Sequence, residues 1–271
     1  MLSQKESLSQ LFKIKESLGP SDCYSIAVAS GKGGVGKSTF SINLAIGLSV
    51  HGKILLLDGD PGLPDLNLIA GVNPKYHWGD FLAGDQTFLD IKHSISPKLD
   101  LIHGFSGIQN MEWVEKEAMK KVIRAMHGVS HLYTHNIIDV GASLNDSSLA
   151  FCTTVDTVIL VLIPEITSLS DCYSTLKSIW SVKPHQDVKI LVNRADSKLQ
   201  AKASYSNLCQ ISRQFLNQEP EFLSWLPKDD QVSNALLKQI PIIKSMPYSN
   251  YSLALQQVIL KINQIKAKTP S

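Results

Sequence analysis

The sequence predicts a doubly wound α/β fold, a mostly parallel sheet with helices on both faces. Three observations carry that expectation. Apolar strand-like runs alternate with helix-like ones from Tyr24 onward. Three of the runs end in a polar residue, at Asp58, Asp139 and Asn193. The first run is joined to its helix by a glycine-rich loop. A chain of 271 residues with 44% hydrophobic residues is long enough to bury a large core in one domain.

Residues 1–19 form a polar-rich amphipathic helix candidate, with Leu8, Leu11, Phe12 and Leu18 sharing a face, stopped by Gly19-Pro20. It either packs on the domain or reaches a partner or a membrane surface. Residues 20–271 form the domain itself. Tyr24 to Ala29 is the first strand, and Phe40 to Leu48 lies in the first helix. Between them Gly31-Lys32-Gly33-Gly34-Val35-Gly36-Lys37-Ser38-Thr39 matches G-x-x-x-x-G-K-[ST] in the strand–loop–helix frame that the pattern needs. Such glycines let backbone N–H groups close around phosphate oxygens. Lys37 is placed to reach β- and γ-phosphates, and the Ser38 hydroxyl to ligate Mg²⁺.

The strand Lys53 to Asp58 runs into Asp58-Gly59-Asp60, two carboxylates suited to holding a metal and orienting an attacking water, or else a turn that uses Asp and Gly for their backbone freedom. Trp78 to Gly84 reads as a short helix, Leu89 to Ile91 as a second short turn, Leu99 to Gly104 as an inward strand ending in glycine, and Met111 to Met126 as an amphipathic helix. His127, His131 and His135 recur every four residues, but Gly128 breaks the helix that would align them. Asn136 to Asp139 followed by Val140-Gly141 has the Walker B form, an apolar strand whose carboxylate holds Mg²⁺ directly or through water. Asp156 to Glu165 contains the most apolar strand, expected near the sheet centre. The helix after it places Asp171 near its start, either as a partner contact or as favourable N-terminal charge. Asn193 ends a further strand, where its amide either reads an adenine edge or caps the strand's turn. Leu255, Val258, Ile259, Ile262 and Ile265 give the closing helix its core face.

Composition narrows the classes. The formal net charge of +2 makes no sequence-wide case for nucleic acid. Four cysteines without C-x-x-C spacing read as reduced intracellular thiols, not a disulfide frame or an iron–sulfur site. The expected location is cytoplasmic, or peripheral at the inner face of the membrane.

The loop Gly-Lys-Gly-Gly-Val-Gly-Lys-Ser resembles the deviant Walker A loop of the MinD/ParA class of ATPases. That resemblance implies ATP and Mg²⁺ as cofactors and a nucleotide-sandwiched homodimer in which Lys32 crosses to the partner's phosphates. Leu55 to Val72, Trp78 to Gly104 and Pro164 to Tyr173 are similar to the flagellar-number regulators of the FlhG (FleN/YlxH) branch. The branch implies that Asp60 positions the hydrolytic water and that Asp139 to Ser143 form a switch. It further implies that Asn193, Arg194 and Pro227 lie around the adenine base. It also implies slow ATP hydrolysis, control of flagellar number or placement, and partners such as an FlhF-like GTPase or flagellar switch and transcription proteins. Gln10 is the single match to the branch's N-terminal activating motif. After the closing helix only Lys266 to Ser271 follows, where relatives carry a membrane-targeting helix. The branch usually has asparagine, a spacer and aspartate where this chain has Asp65-Leu66-Asn67, the same pair exchanged. A ParA- or MinD-type positioning ATPase and a P-loop phosphotransferase remain the competing readings.

Overall fold

The computed structural model describes residues 21–60, 64–104, 112–142 and 145–268, with the side chains of 112–116 also left aside. The expected helix over residues 1–19, Gln10 within it, and Ser143 of the expected switch lie outside the described residues.

The strands are β1 (Tyr24–Ala29), β2 (Ile54–Gly59), β3 (Lys92–Ser96), β4 (Leu99–Ile102), β5 (His135–Val140), β6 (Thr157–Leu162), β7 (Val188–Ala195) and β8 (Glu221–Pro227). They form one sheet in the order β3-β4-β2-β5-β1-β6-β7-β8. Every neighbouring pair is parallel except β3 with β4. β5 and β1 hold the centre, and the apolar β6 lies one place outward, beside β1.

The interior strands are buried on both faces, which is why they read as near-continuous apolar runs. Alternate residues of each strand feed two separate cores. Ala27, Leu55, Leu57 and Leu160 face one core with Met119, Phe151, Ile179 and Leu208. Ile26, Val28, Leu56 and Ile159 face the other with Phe40, Leu44, Leu255 and Ile259. The helices that deliver these side chains are α1 (Lys37–Leu48), α2 (Leu66–Ala70), α3 (Trp78–Ala83), α4 (Glu112–Gly128), α5 (Asp146–Thr154), α6 (Ile166–Val182), α7 (Lys198–Leu216), α8 (Asp230–Leu237), α9 (Ile242–Ser245) and α10 (Asn250–Lys268). Helices therefore cover both faces, as the alternating pattern predicts.

Two elements depart from the sequence reading. Lys92–Ser96 is an antiparallel edge strand, bonded to β4 with an irregular register at Ser94/Ser96. Glu221–Pro227 is the opposite edge strand, of which only the final Pro227 matches the loop expected beside the base. The three spaced histidines fall on three elements: the last turn of α4, a 3₁₀ turn over Ser130–Leu132, and the start of β5.

The phosphate-loop helix α1 is tied to distant chain by one buried amide. Asn43 is fully buried. It donates to the Thr39 carbonyl at 2.7 Å and accepts from the Ile243 N–H at 3.0 Å. That second bond closes 200 residues of chain. Removing it strands a backbone donor under the core. Asn43→Ala is expected to destabilise the protein by about 2 kcal/mol, seen as a lower urea midpoint with an unchanged m-value.

Candidate nucleotide site

All the polar strand ends named above collect at the carboxyl edge of the sheet. β1 lies between β5 and β6, so the loop leaving β1 opens over the point where the winding direction changes. In open α/β sheets that crevice is where ligands bind.

The loop itself is shaped by glycine. Gly34 and Gly36 take φ of +75° and +89°, left-handed values that a side chain resists. At Gly31 a Cβ would lie 2.3 Å from the carbonyl carbon of Asp171, so the loop rests directly on the backbone of α6. Gly33 faces Ala142 of the loop after β5, while Val35 is buried and Thr39 nearly so.

Lys37 is buried and bonds the Asp139 carboxylate through Nζ at 3.1 Å. The other Asp139 oxygen accepts from the Ser41 hydroxyl at 2.7 Å. Ser41 was not among the residues the sequence singled out. Its signal is the i+4 spacing from Lys37, which puts it on the same helical face.

Asp58 is fully buried. It accepts the Leu66 N–H at 3.2 Å and the Asp60 N–H at 3.3 Å. Burial pushes its carboxyl well above the ordinary range, and the nearby Asp139 adds to the rise. Asp65 is raised chiefly by burial and then by Asp139, against which a hydrogen bond from Ser38 and the charge of Lys37 act. The Asp60 carboxylate packs on Gly141, where a Cβ would approach it to 3.2 Å. Asp139 thus lies close enough to Asp58 and Asp65 to raise both their carboxyls, but no three acidic, histidine or cysteine side chains among the described residues converge closely enough to hold a metal ion by themselves.

Lys32 points elsewhere. Its ammonium meets Glu165 at 2.8 Å and Thr167 at 3.2 Å, both at the start of α6. Asp171, half-buried, stands one turn further along the same helix beneath Gly31.

On the other side, β7 brings in Asn193. Its amide donates to the Val35 carbonyl at 2.8 Å, and a Cβ on Gly36 would lie 2.5 Å from that amide nitrogen. Nothing among the described residues pairs with its buried Oδ1. Arg194 adopts φ of +55° where the β7–β8 register shifts, which turns it outward while Asn193 stays buried. Pro227 pairs with Ala195 across that shift.

These residues fit a magnesium nucleotide. The loop presents left-handed glycines, Ser38 and the carboxylates of Asp58 and Asp139 are hard oxygen donors of the kind Mg²⁺ prefers, and Asn193 offers an unused acceptor beside the loop. Ser38 with Asp58 and Asp139 would hold the ion, which supplies charge neutralisation between the phosphates.

A family model described as the CobQ/CobB/MinD/ParA nucleotide binding domain matches residues 26–242. The antiactivator FleN of Pseudomonas aeruginosa is 29% identical over 239 residues, covering 88% of this chain and 85% of FleN. The flagellum site-determining protein YlxH of Helicobacter pylori is 27% identical over 236 residues, covering 86% and 79%. Among solved structures, the septum site-determining protein MinD of Pyrococcus horikoshii, complexed with Mg-ADP, superposes with a TM-score of 0.75 at 25% identity. That alignment covers 91% of this chain and all of the MinD chain.

The raised carboxyl of Asp58 has a consequence for stability. A carboxyl that holds its proton more tightly when folded stabilises the fold fully below its unfolded pKa. That contribution is lost as pH rises through the folded value. Asp58→Asn removes the buried charge. It is expected to stabilise the nucleotide-free protein at neutral pH by about 1 kcal/mol, and thermal melts should show that gain shrinking as the pH is lowered toward the ordinary carboxylate range.

Proposed function

The chain belongs to the CobQ/CobB/MinD/ParA nucleotide-binding family, and we propose that it is an ATP-dependent dimerising switch with slow magnesium-dependent hydrolysis. The observation that carries this reading is the division of labour between the two loop lysines. Lys37 is buried on Asp139, inside its own site. Lys32 stands at the surface, over a third exposed, on a still more exposed Glu165. An exposed pair of this kind is worth only about 0–1 kcal/mol, so Lys32 is cheaply released. A cation so placed suits insertion into a facing copy, where it meets phosphate charge as an arginine finger does.

The site residues then take definite roles. The loop N–H groups from Gly31 to Thr39 and the Lys37 ammonium hold phosphate oxygens. Ser38, Asp58 and Asp139 hold Mg²⁺. Asp60, seated against Gly141, orients the water that attacks the γ-phosphate. Asn193 accepts from the base through the oxygen that has no protein partner, with Arg194 and Pro227 flanking it. Two relatives named as the antiactivator FleN and the flagellum site-determining protein YlxH support control of flagellar number or placement as the output. The partners on this reading are a flagellar GTPase of the FlhF kind or flagellar switch and transcription proteins, met through the α6 face around Asp171. No helix among the described residues is long and apolar enough to cross a membrane, and any membrane contact is proposed to be peripheral, at the cytoplasmic face.

Solution mass tests the switch. Asp60→Ala with ATP and Mg²⁺ is expected to be a dimer, with ADP a monomer, and the added Lys32→Ala should abolish the dimer. A monomer throughout, with ATP still bound, would sink the switch and favour a P-loop phosphotransferase. Glu165→Ala, in the Asp60→Ala background, releases Lys32 from its local partner. It should lower the ATP concentration at half-dimerisation by about threefold, in line with an exposed ion pair.

A further inference from the structure

Ser41 follows Lys37 by one turn of α1 and is fully buried, as is Asp139 near the end of β5. The Ser41 hydroxyl lies 3.1 Å from the Lys37 carbonyl and 2.7 Å from one Asp139 oxygen. A hydroxyl has one proton to donate, so it serves one of these acceptors at a time. Bonding the carbonyl four residues back is what a serine inside a helix ordinarily does. Here the carboxylate is nearer and charged, and charge-assisted bonds are the stronger ones, so Asp139 takes the proton. Among the described residues the Asp139 carboxylate has two side-chain donors, Ser41 through Oγ and Lys37 through Nζ.

Resting on the nucleotide reading above, we propose that Ser41 is a positioning residue for nucleotide entry. Its hydroxyl keeps Asp139 bonded while Lys37 turns from that carboxylate to an incoming phosphate. The two donors differ in freedom. Lys37 carries its ammonium on a flexible four-carbon stem, whereas Ser41 has one short arm inside a buried helix. When Lys37 leaves, Asp139 loses the one cation bonded to it among the described residues. A buried charge stripped of its partners is strongly destabilising, and a carboxylate with no exposed surface has no bulk water to turn to. In the free protein Ser41 is one of two partners; in the metal-free nucleotide complex it is the last. Loss of the hydroxyl therefore penalises the bound form more than the free one. A divalent cation arriving with the nucleotide gives Asp139 a new positive partner, and the penalty shrinks. A serine that only filled space or bonded its own helix would show no such difference.

The test uses the full chain and a fluorescent ADP analogue, titrated in EDTA and in excess MgCl₂. Ser41→Ala should bind the metal-free analogue about tenfold more weakly than wild type. Its affinity in MgCl₂ should stay within about threefold, and Ser41→Thr, which keeps the hydroxyl, should stay within about threefold in both. Circular dichroism checks the fold. If Ser41→Ala misfolds, Ser41→Cys keeps the volume but donates only weakly, and it should show the same loss. Equal metal-free affinities in wild type and Ser41→Ala would overturn the proposal. So would an equal loss with and without Mg²⁺, which marks a merely structural serine, or wild-type protein that binds in MgCl₂ but not in EDTA. Wild-type protein that binds the analogue in neither would instead overturn the nucleotide reading beneath it.

Discussion

The buried ion pair of Lys37 with Asp139 is the contact on which the rest of the site depends. It joins the first turn of α1 to the end of β5 at 3.1 Å, with both side chains almost fully out of water. Two charges in such a place cost several kcal/mol each to desolvate, and their attraction offsets that only with good geometry and with the remaining lone pairs satisfied. Ser41 meets the second condition by bonding the other Asp139 oxygen. The desolvation of Lys37 is thus already met before any ligand arrives. A phosphate oxygen entering the loop offers Lys37 a substitute for Asp139, and an arriving cation offers Asp139 a substitute for Lys37. The exchange swaps partners among dry groups instead of creating new buried charge. This is preorganisation in the sense used for electrostatic sites.

Around that pair, neighbouring elements are locked by contacts too tight for a side chain. Gly31 sits on the backbone of Asp171, Gly36 on the Asn193 amide, and Gly141 on the Asp60 carboxylate. Each joins the phosphate loop, or the loop after β5, to a different strand end: β6 through α6, β7, and β2. The consequence is mechanical. A shift of the phosphate loop must move α6, and a shift of α6 must move the loop, because no soft side chain lies between them to absorb it.

How much of this could be read beforehand follows from how local each signal is. The loop was legible because its glycines are required by positive φ within a few residues of one another. The strand ends at Asp58 and Asp139 were legible because a buried parallel strand leaves an apolar run, and the polar residue that ends it stands out. The edge strand Lys92–Ser96 was not, since its residues are half-buried and mixed, with an irregular register, so neither alternation nor an apolar run marks it. Ser41 looked like an ordinary helix-core residue, because its role depends on Asp139, 98 positions away. Asn193 left two readings open in sequence. In the structure the amide nitrogen holds the Val35 carbonyl of the phosphate loop, which neither reading names, and the oxygen has no partner among the described residues. The strand order is likewise a non-local property: nothing in β1 announces that β5 and β6 flank it.

On the switch reading proposed above, Lys32 is the residue that lets a switch be built on so rigid a frame. The tight contacts make the loop and α6 one body, and Lys32 is a loosely held charge at its surface, bonded to Glu165 and Thr167 of that same body. Releasing Lys32 therefore costs about 1 kcal/mol or less and disturbs no packing. Shifting Lys37 or Gly31 would strain the core. A facing copy that presented phosphate charge to Lys32 would compete with the exposed Glu165 carboxylate and the Thr167 hydroxyl. Any partner that grips the start of α6 acts on Glu165, Thr167 and the Asp171 backbone together. It would set how readily Lys32 leaves and how the loop beneath it sits, which couples partner binding to nucleotide state through contacts already present in the single chain.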